Sequence, residues 1–467
     1  MEPSVTLPRG WRLGTALTVA ERSGDHVRFK AIDFENLVDS PIMAGKYFKR
    51  FDLAPGAATP VHLDVFADEA KDLEATPKEI EVHRKLVEQM YDLYGAHHYD
   101  HYDFLLAVSD KLSGIGLEHH RSSEDGSSSG YFTKWKKSWI RRTLLSHEFN
   151  HSWDGKYRRP AGLWTPSFNV VKRDWGLWVY EGQTQFWGEV MAARSGLWSH
   201  EQAMSALATL AATYDRGRPG MAWRNIQDTT NDPTIAERAP IPYRDYQMSE
   251  DYYRGGELIW FAVDSELRDL THDKRSLDDF ARAFFGMDNG AWDISTYTFD
   301  DVVAALNRIA PYDWKDFLRS RLDGHDDLAQ GLADEGWKVV YNDEPSIAIE
   351  AYAKARFHAS SFTYSVGLTV NDMGELRDVL WNGPAFKAGL APGMTLIAVD
   401  RKEFKPETLK DAIVAATGTT KPIELTVKDF DELRTLSVDY HGGLQIPHLV
   451  RIPGKPDYLS EVLAARK

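Results

Sequence analysis

Hydrophobic and polar positions alternate in short segments along the first part of the chain. Residues 27–31 and 61–65 alternate as half-buried strands do, whereas Tyr102–Val108 is mainly apolar, as a buried strand is. Thr76 and Glu79 form a capping box, at which a helix is predicted to begin. The pattern therefore predicts a mixed α and β structure for this part of the chain.

Helical periodicity dominates the middle of the chain. Helices are predicted over residues 138–153, 178–194 and 253–270, and helical patterns continue to about residue 340. Residues 121–130 are rich in Ser and Gly, so they are predicted to form a mobile loop between secondary-structure elements.

Near residue 345 the pattern changes to short β-branched runs separated by Gly and Pro. Strands are predicted within residues 362–370, 395–399 and 422–427, so a domain boundary is expected near residue 345. No stretch approaches the roughly 20 apolar residues of a membrane span. The first ten residues also lack the charged and apolar regions of a signal peptide, although a leader removed earlier would leave the same start.

The composition of the chain limits its possible partners and metal ligands. The 467 residues are 43% hydrophobic, which is enough for two to four packed domains. The net charge of −15 disfavours nucleic acid as a partner. The chain has no cysteine, so disulfides are excluded and any metal must rest on histidine and carboxylate ligands. The compartment stays open, because the bacterial periplasm and the cytoplasm are both compatible with this composition.

The segment from Ser146 to Trp153 contains the pattern His-Glu-x-x-His on a predicted helix. Positions i and i+4 of a helix lie on one face, so His147 and His151 can direct their imidazoles at one zinc ion. Glu148 reaches a water beside that ion without being a ligand, which is the place of a general base. The competing interpretation is a pair of surface histidines on an amphipathic helix.

A third protein ligand is expected further along the chain. Glu181 lies 30 positions after His151 on the next predicted helix, which leaves enough chain to bring the two helices side by side. Glu189 is the competitor, and it is more suited to the solvent face or to orienting a histidine ligand. The predicted ligand set for one Zn²⁺ is therefore His147, His151 and Glu181.

The zinc helix and its continuation resemble the glycyl aminopeptidase family of gluzincins. The resemblance rests on residues 147–160, including Trp153, Lys156 and Pro160, and on the spacing to Glu181 followed by Gly182. The chain departs from the family pattern at Asp154, where the family has Asn, and at Tyr157, where it has Arg. The resemblance implies a thermolysin-like catalytic domain and aminopeptidase activity that prefers small N-terminal residues, glycine or alanine.

The segment Gly116-Leu117-Glu118-His119 is similar to the family's Gly-Leu-Glu-His strand. The resemblance implies that Gly116 and Glu118 contact the substrate and that Glu118 holds its free α-amine. A carboxylate beside the scissile bond would pair with an ammonium group and exclude internal segments of a chain. An ordinary strand-end glutamate is the alternative interpretation. His119 and His120 are interpreted as structural or substrate-lining.

The segment from Tyr252 to Gly256 resembles the family's Tyr-Tyr-x-Lys-Gly stretch. The resemblance implies that Tyr253 stabilises the oxyanion of the tetrahedral intermediate through its hydroxyl group. Tyr252 is the rival for a role in the site, and aromatic packing is the alternative for both residues.

Residues from about 345 to 440 resemble a PDZ domain. Residues 365–368 lie where such domains carry a carboxylate-binding loop, and residues 384–393 resemble the segment before a following strand. The resemblance implies that an extended peptide adds to a sheet edge at a PDZ-like groove. A purely structural domain is the alternative.

The resulting prediction is a multidomain α+β protein. A remnant of an N-terminal β-domain, which the family carries in a longer form, is followed by a thermolysin-like α/β catalytic domain, a helical domain, a PDZ-like domain and a tail, at residues 1–75, 76–235, 236–344, 345–445 and 446–467.

The predicted function is zinc aminopeptidase on peptides with a free N-terminus. One alternative is a zinc endopeptidase of the same class, which would cleave N-terminally blocked peptides. Another is a peptide-binding scaffold with a vestigial zinc site, which the intact set of ligands and base disfavours.

Overall fold

The computed structural model describes residues 1–235 and 242–466. These residues form two compact units. The first contains residues 1–200, 267–315 and 460–466, and the second contains residues 201–235, 242–266 and 316–459. The predicted boundary between the catalytic and helical domains, at residues 235 and 236, adjoins residues 236–241, which lie outside the described residues. The two units are interleaved along the chain, and the predicted division into consecutive domains stays a prediction.

The strands of the described residues are mostly short. In chain order they are β1 (Ser4–Thr6), β2 (Arg12–Gly14), β3 (Val19–Ser23), β4 (His26–Phe29), β5 (Met43–Gly45), β6 (Tyr47–Asp52), β7 (Val61–Ala67), β8 (Tyr102–Val108), β9 (Gly116–Glu118), β10 (Ser122–Ser127), β11 (Arg158–Pro160), β12 (Ser295–Tyr297), β13 (Trp337–Asn342), β14 (Ala359–Ser361), β15 (Leu368–Asn371), β16 (Leu376–Val379), β17 (Thr395–Val399), β18 (Lys402–Glu403), β19 (Ile423–Asp429), β20 (Glu432–Val438) and β21 (Ile446–Arg451).

The α-helices of the same residues range from one turn to five. They are α1 (Phe34–Val38), α2 (Pro77–Tyr94), α3 (Thr143–Asn150), α4 (Leu177–Tyr180), α5 (Gly182–Ser195), α6 (His200–Asp215), α7 (Ile226–Thr229), α8 (Asp232–Ile235), α9 (Arg244–Gln247), α10 (Arg254–Thr271), α11 (Leu277–Phe284), α12 (Phe299–Ile309), α13 (Trp314–Asp323), α14 (Gln330–Asp334), α15 (Ile347–Phe357), α16 (Pro384–Lys387), α17 (Pro406–Ala415) and α18 (Tyr458–Leu463). No described helix is long and apolar enough to cross a membrane.

A five-stranded sheet organises the first unit, in the order β6-β7-β8-β10-β9. β7, β8 and β10 run parallel, while β6 and β9 pair antiparallel at the two edges. Every residue of β8 is buried, as the apolar pattern predicts for a central strand. β6 and β7 belong to this sheet, whereas β1 to β5 form two small sheets that we call the N-terminal module. The boundary at residue 75 stays a prediction.

The Ser- and Gly-rich segment after Glu118 is a strand, so the predicted mobile loop over residues 121–130 is wrong. β10 pairs with β8 on one side and β9 on the other, and five of its six residues are buried. Small side chains suit this position because α3 packs directly over the strand. Burial between two neighbouring strands therefore outweighs the turn-forming composition of the segment.

Helices α2, α3 and α5 pack together beside the sheet. The predicted capping box at the start of α2 is present: the Thr76 hydroxyl accepts from the Glu79 amide, and the Glu79 carboxylate accepts from the Thr76 amide. Gly95 ends the helix in the left-handed conformation at φ 66°. This geometry follows directly from local sequence.

The C-terminal part of the second unit is β-rich, as predicted from the change near residue 345. One sheet has the order β14-β15-β16 and another the order β18-β17-β19-β20, with α17 packed against β17. Their shared hydrophobic core runs from Phe362 to Val438. In the segment predicted to bind a carboxylate, the amides of Ser365 and Gly367 both donate to the Phe362 carbonyl, so these two donors are already satisfied.

Candidate metal centre and active site

Three side chains converge at the carboxyl end of helix α3. His147 lies in the last turn of α3, His151 directly follows the helix, and Glu181 lies between α4 and α5. The Nε2 atoms of the two histidines are 3.2 Å apart. Each of these atoms lies 3.4 Å from Oε2 of Glu181. The structure thus brings together the three residues predicted as ligands.

The donor spacing fits a tetrahedral zinc ion. Metal–ligand bonds of about 2.0–2.1 Å give a tetrahedron with edges of about 3.3–3.4 Å. The three separations between donor atoms, 3.2, 3.4 and 3.4 Å, match those edges closely. Two imidazoles and one carboxylate leave the fourth position for water or substrate, which is the arrangement of a catalytic rather than a structural site.

Close packing between α3 and α5 holds this geometry. The hydroxyl of Ser146 donates to the carbonyl of Gly188 at 2.6 Å. A Cβ at Gly188 would lie 3.2 Å from Cβ of His147, which is tighter than ordinary contact. The absence of a side chain at residue 188 therefore lets the two helices approach until Glu181 reaches the histidines.

The histidine ring that is more deeply buried is oriented by the backbone. Nδ1 of His151 lies 2.9 Å from the carbonyl oxygen of Asp154, to which it donates. This bond leaves Nε2 directed at Glu181 and available to a metal. Behind the ring, Asn150 Nδ2 donates to the Thr184 hydroxyl at 2.9 Å, which joins α3 to α5. Glu189, the rejected competitor for the third ligand, is buried on α5 and is not a member of either described group of potential metal ligands.

The site is electrostatically prepared for a cation. Burial disfavours the charged forms of His151 and Glu181, but the attraction between the two charges prevails. The carboxylates of Glu181 and Glu118 raise the pKa of His151 to about 10, and the two histidines lower the pKa of Glu181. Without metal, the pocket therefore keeps a proton on His151, which a divalent ion must displace.

Glu148 lies on the face of α3 that is turned towards strand β9. It is buried, and burial raises its pKa well above the usual range, with Glu118 and other carboxylates adding to the shift and His151 opposing it. A Cβ at Gly116 would overlap Glu148 Oε1 and lie 2.6 Å from Leu144 Cδ1. The lack of a side chain at Gly116 thus lets the backbone of β9 pass directly over the predicted base. The sequence pattern did not show this reason for a glycine at position 116.

Glu118 ends strand β9, at the edge of the sheet. One ligand oxygen or nitrogen each of Glu118, Glu148 and His151 lie within 4.8 Å of one another, so the predicted amine-binding residue is beside the predicted base. Its Oε1 accepts a hydrogen bond from the Tyr180 hydroxyl. Burial raises its pKa, but His151 and Lys156 outweigh burial, and the net shift is downward. At neutral pH the side chain is a carboxylate.

Tyr180 is a site residue that sequence analysis missed. Besides its bond to Glu118, its ring centroid lies 4.9 Å from that of His151. A Cβ at Gly155, where φ is +128°, would lie 2.6 Å from Cζ of the Tyr180 ring. The only signal in the sequence is its position directly before Glu181.

Tyr252 and Tyr253 belong to the second compact unit, immediately before α10. The Tyr252 ring is fully buried, whereas Tyr253 is half-buried, and their ring centroids are 4.9 Å apart. Burial therefore favours Tyr253 over Tyr252 as the residue able to contact a substrate. The role of each remains a prediction.

Two known families match parts of this chain. The family description "M61 glycyl aminopeptidase" matches residues 141–259, which include the zinc helix and Glu181, and "Peptidase M61 N-terminal domain" matches residues 1–46. No curated protein matches the chain.

One solved structure shares the fold, and a second shows a weaker likeness. A protein of the aminopeptidase N family from Idiomarina loihiensis superposes with a TM-score of 0.73 at 20% identity, over 99% of this chain and 79% of that one. A mutant of the M1 zinc metallopeptidase of Deinococcus radiodurans, bound to a Tyr-Ser-Ala substrate, gives a TM-score of 0.43 at 16% identity, over 69% of this chain and 63% of that one.

The first likeness shows a shared fold, and the two family matches cover His147, His151 and Glu181 and the N-terminal 46 residues. Together with the tetrahedral spacing of the His147, His151 and Glu181 donors, they identify the chain as a zinc aminopeptidase that is similar to M61 glycyl aminopeptidases over residues 141–259 and 1–46.

Proposed function

We propose that this aminopeptidase removes small residues, glycine or alanine, from peptides whose α-amine is free. Glu118 would hold the amine, Glu148 would act as the base and Tyr253 would stabilise the oxyanion. The observation that carries the proposal is the position of Glu118, a charged carboxylate at the end of an edge strand and within 4.8 Å of atoms of Glu148 and His151.

Strand β9 supplies the substrate's backbone contact. It is the outermost strand of its sheet among the described residues, so its outer edge is available to an extended peptide. A peptide lying along this edge would meet the Glu118 carboxylate where the strand ends. The carboxylate would pair with the terminal ammonium and leave no room for further residues on that side. The cleavage of single N-terminal residues follows from this arrangement.

A bound zinc ion supplies Lewis-acid activation of the attacking water and of the peptide carbonyl. Glu148 accepts the proton of that water and passes it to the nitrogen of the leaving amine. Burial raises the pKa of Glu148, so its carboxylate is a stronger base than an exposed one. The Tyr253 hydroxyl would donate to the developing oxyanion. Tyr253→Phe should therefore lower kcat with little change in KM, while Tyr252→Phe serves as the matched control.

The preference for glycine and alanine rests on the family description and on the sequence resemblance. A series of dipeptides with Gly, Ala, Leu or Phe at the N-terminus would test it. The expected kcat/KM falls with the size of the first side chain, and equal values for Gly and Phe would contradict the proposal.

A zinc endopeptidase of the same class is the competing function. It predicts that Glu118→Ala has the same activity as the wild type on an N-acetylated peptide and on a free one. The proposed function predicts instead that Glu118→Ala and acetylation each lower kcat/KM about ten- to a hundredfold, the effect of a charge-assisted bond. Their combined effect should not exceed the larger one, because both remove the same ion pair.

The C-terminal β-rich module is proposed to be a PDZ domain that binds an extended peptide. Support comes from a cavity of about 280 Å³ bordered by β14, the following loop and the first turn of α17. β15 is paired on both sides, so a peptide would have to add at the outer edge of β14. Fluorescence anisotropy with labelled peptides, with Lys410→Glu at the cavity wall as the comparison variant, tests this proposal.

A further inference from the structure

A carboxylate from the N-terminal module reaches the amine-binding end of strand β9. Asp39 follows helix α1, within the segment matched by the M61 N-terminal domain. Its Oδ2 accepts from the amide of His120 at 2.6 Å, and its Oδ1 lies 3.3 Å from Nδ1 of His119. These two residues directly follow Glu118, so Asp39 holds the end of the strand that carries the proposed amine-binding carboxylate.

The same carboxylate pairs with a cation in the turn after the zinc helix. Lys156 Nζ donates to Asp39 Oδ1 at 2.7 Å, and only 15% of the Lys156 side chain is exposed. The Lys156 amide also donates to the carbonyl of His151 at 2.9 Å. Asp39 therefore connects the strand end to the turn that follows the metal ligand.

Lys156 poses a difficulty for a site that binds an ammonium group. Its positive charge acts on Glu118, because it is one of the groups that lower the pKa of that carboxyl. An unpaired cation there would repel the substrate's α-amine. The cation is instead paired with Asp39, which stays ionised despite burial because His119 and Lys156 lower its pKa.

We propose that Asp39 is a positioning residue for amine recognition, which neutralises Lys156 and fixes the end of strand β9. The inference rests on the proposed role of Glu118. It assigns the N-terminal module a part in substrate specificity: the first unit's amine site is complete only when residue 39 supplies its negative charge.

The test uses full-length Asp39→Asn, Lys156→Met and the double variant, with one peptide in free and N-acetylated forms. Asp39→Asn should keep its zinc but raise KM for the free peptide about tenfold, with a smaller change in kcat. Lys156→Met should lower that KM, because Asp39 is left as an additional anion. The double variant should return to within about threefold of the wild type, since both charges are gone. Glu35→Gln removes an exposed negative charge from the same helix and is the matched control.

The results of these experiments distinguish a failure of the role proposed for Asp39 from a failure of the proposed function. Equal cleavage of both peptides by the wild type would overturn the proposed function and this inference with it. A wild-type preference for the free peptide, combined with Asp39→Asn kinetics equal to those of Glu35→Gln, would overturn the inference alone. A double variant as impaired as Asp39→Asn would also overturn it, because a purely structural role of Asp39 gives no rescue. Should Asp39→Asn fail to fold, an unchanged or higher KM in Lys156→Met would refute the charge argument.

Discussion

Replacement of Gly116 by alanine should disable the catalytic base while leaving the zinc site intact. The new Cβ would overlap Glu148 Oε1 and would lie 2.6 Å from Leu144 Cδ1, about 0.8 Å short of the 3.4 Å at which ordinary contact begins. The Glu148 carboxylate must therefore move away from the strand, by at least the shift that relieves the contact with Leu144. Misplacement of a reacting group by about 1 Å costs on the order of a hundredfold in rate.

The expected result for Gly116→Ala is a kcat about a hundredfold below that of the wild type, with the zinc content unchanged. Steady-state kinetics on a glycyl peptide, zinc analysis and thermal melting measure the three quantities. Gly45→Ala is the matched control, because it also lies in a strand and its Cβ would meet Phe66 at an ordinary 3.4 Å. A fully active, zinc-loaded Gly116→Ala would show that Glu148 does not act from the position described.

Three further predictions concern the metal centre. Glu148→Gln should bind zinc and fold normally, yet lose several orders of magnitude in kcat, and near-normal turnover would remove Glu148 as the base. Glu181→Ala should lose tight zinc binding, measured as zinc per chain after dialysis, whereas undiminished zinc would exclude Glu181 from the ligand set. Zinc binding should displace one proton, because the pKa of His151 in the metal-free site is about 10 and lies above neutral pH. Zinc affinity should therefore rise about tenfold per pH unit between roughly pH 7 and 9, and calorimetry in buffers of different ionisation enthalpy should count that proton; no released proton would contradict the electrostatic account.

The raised pKa of His151 also makes the stability of the metal-free protein depend on pH. The folded pKa of His151 lies above the unfolded value, so the ion pair with Glu181 stabilises the fold fully below about pH 6.5. That contribution is lost as the pH rises towards about 10. In the metal-loaded protein the ion takes the proton's place, and stability should not fall in this alkaline range.

Local rules predicted the parts of the fold that depend on neighbouring residues. The capping box at Thr76, the helix predicted over residues 253–270 and the strand over residues 395–399 correspond to α2, α10 and β17 with small shifts at most. The convergence of His147 and His151 was predictable for the same reason, because the two residues are separated by one helical turn. Only the spacing to Glu181 required an assumption about helix packing.

Contacts between distant parts of the chain could not be predicted from local patterns. Asp39 meets Lys156 across 117 positions, and Tyr180 meets Glu118 across 62. β10 was misassigned because its Ser and Gly residues favour turns, while the burial that makes it a strand comes from β8 and α3. Gly116 was assigned to the site by resemblance to the family. The physical reason for a glycine there, its close approach to Glu148, appears only in the three-dimensional structure.

The central claim is that a zinc ion and the Glu118 carboxylate together restrict cleavage to free N-termini. One measurement tests it most directly: the release of N-terminal glycine from a free peptide and from its acetylated form, before and after chelation and zinc restoration. The account predicts rapid release from the free peptide only, loss of that activity on chelation and its return with zinc. Comparable cleavage of the two peptides, or activity that survives complete removal of the metal, would contradict it.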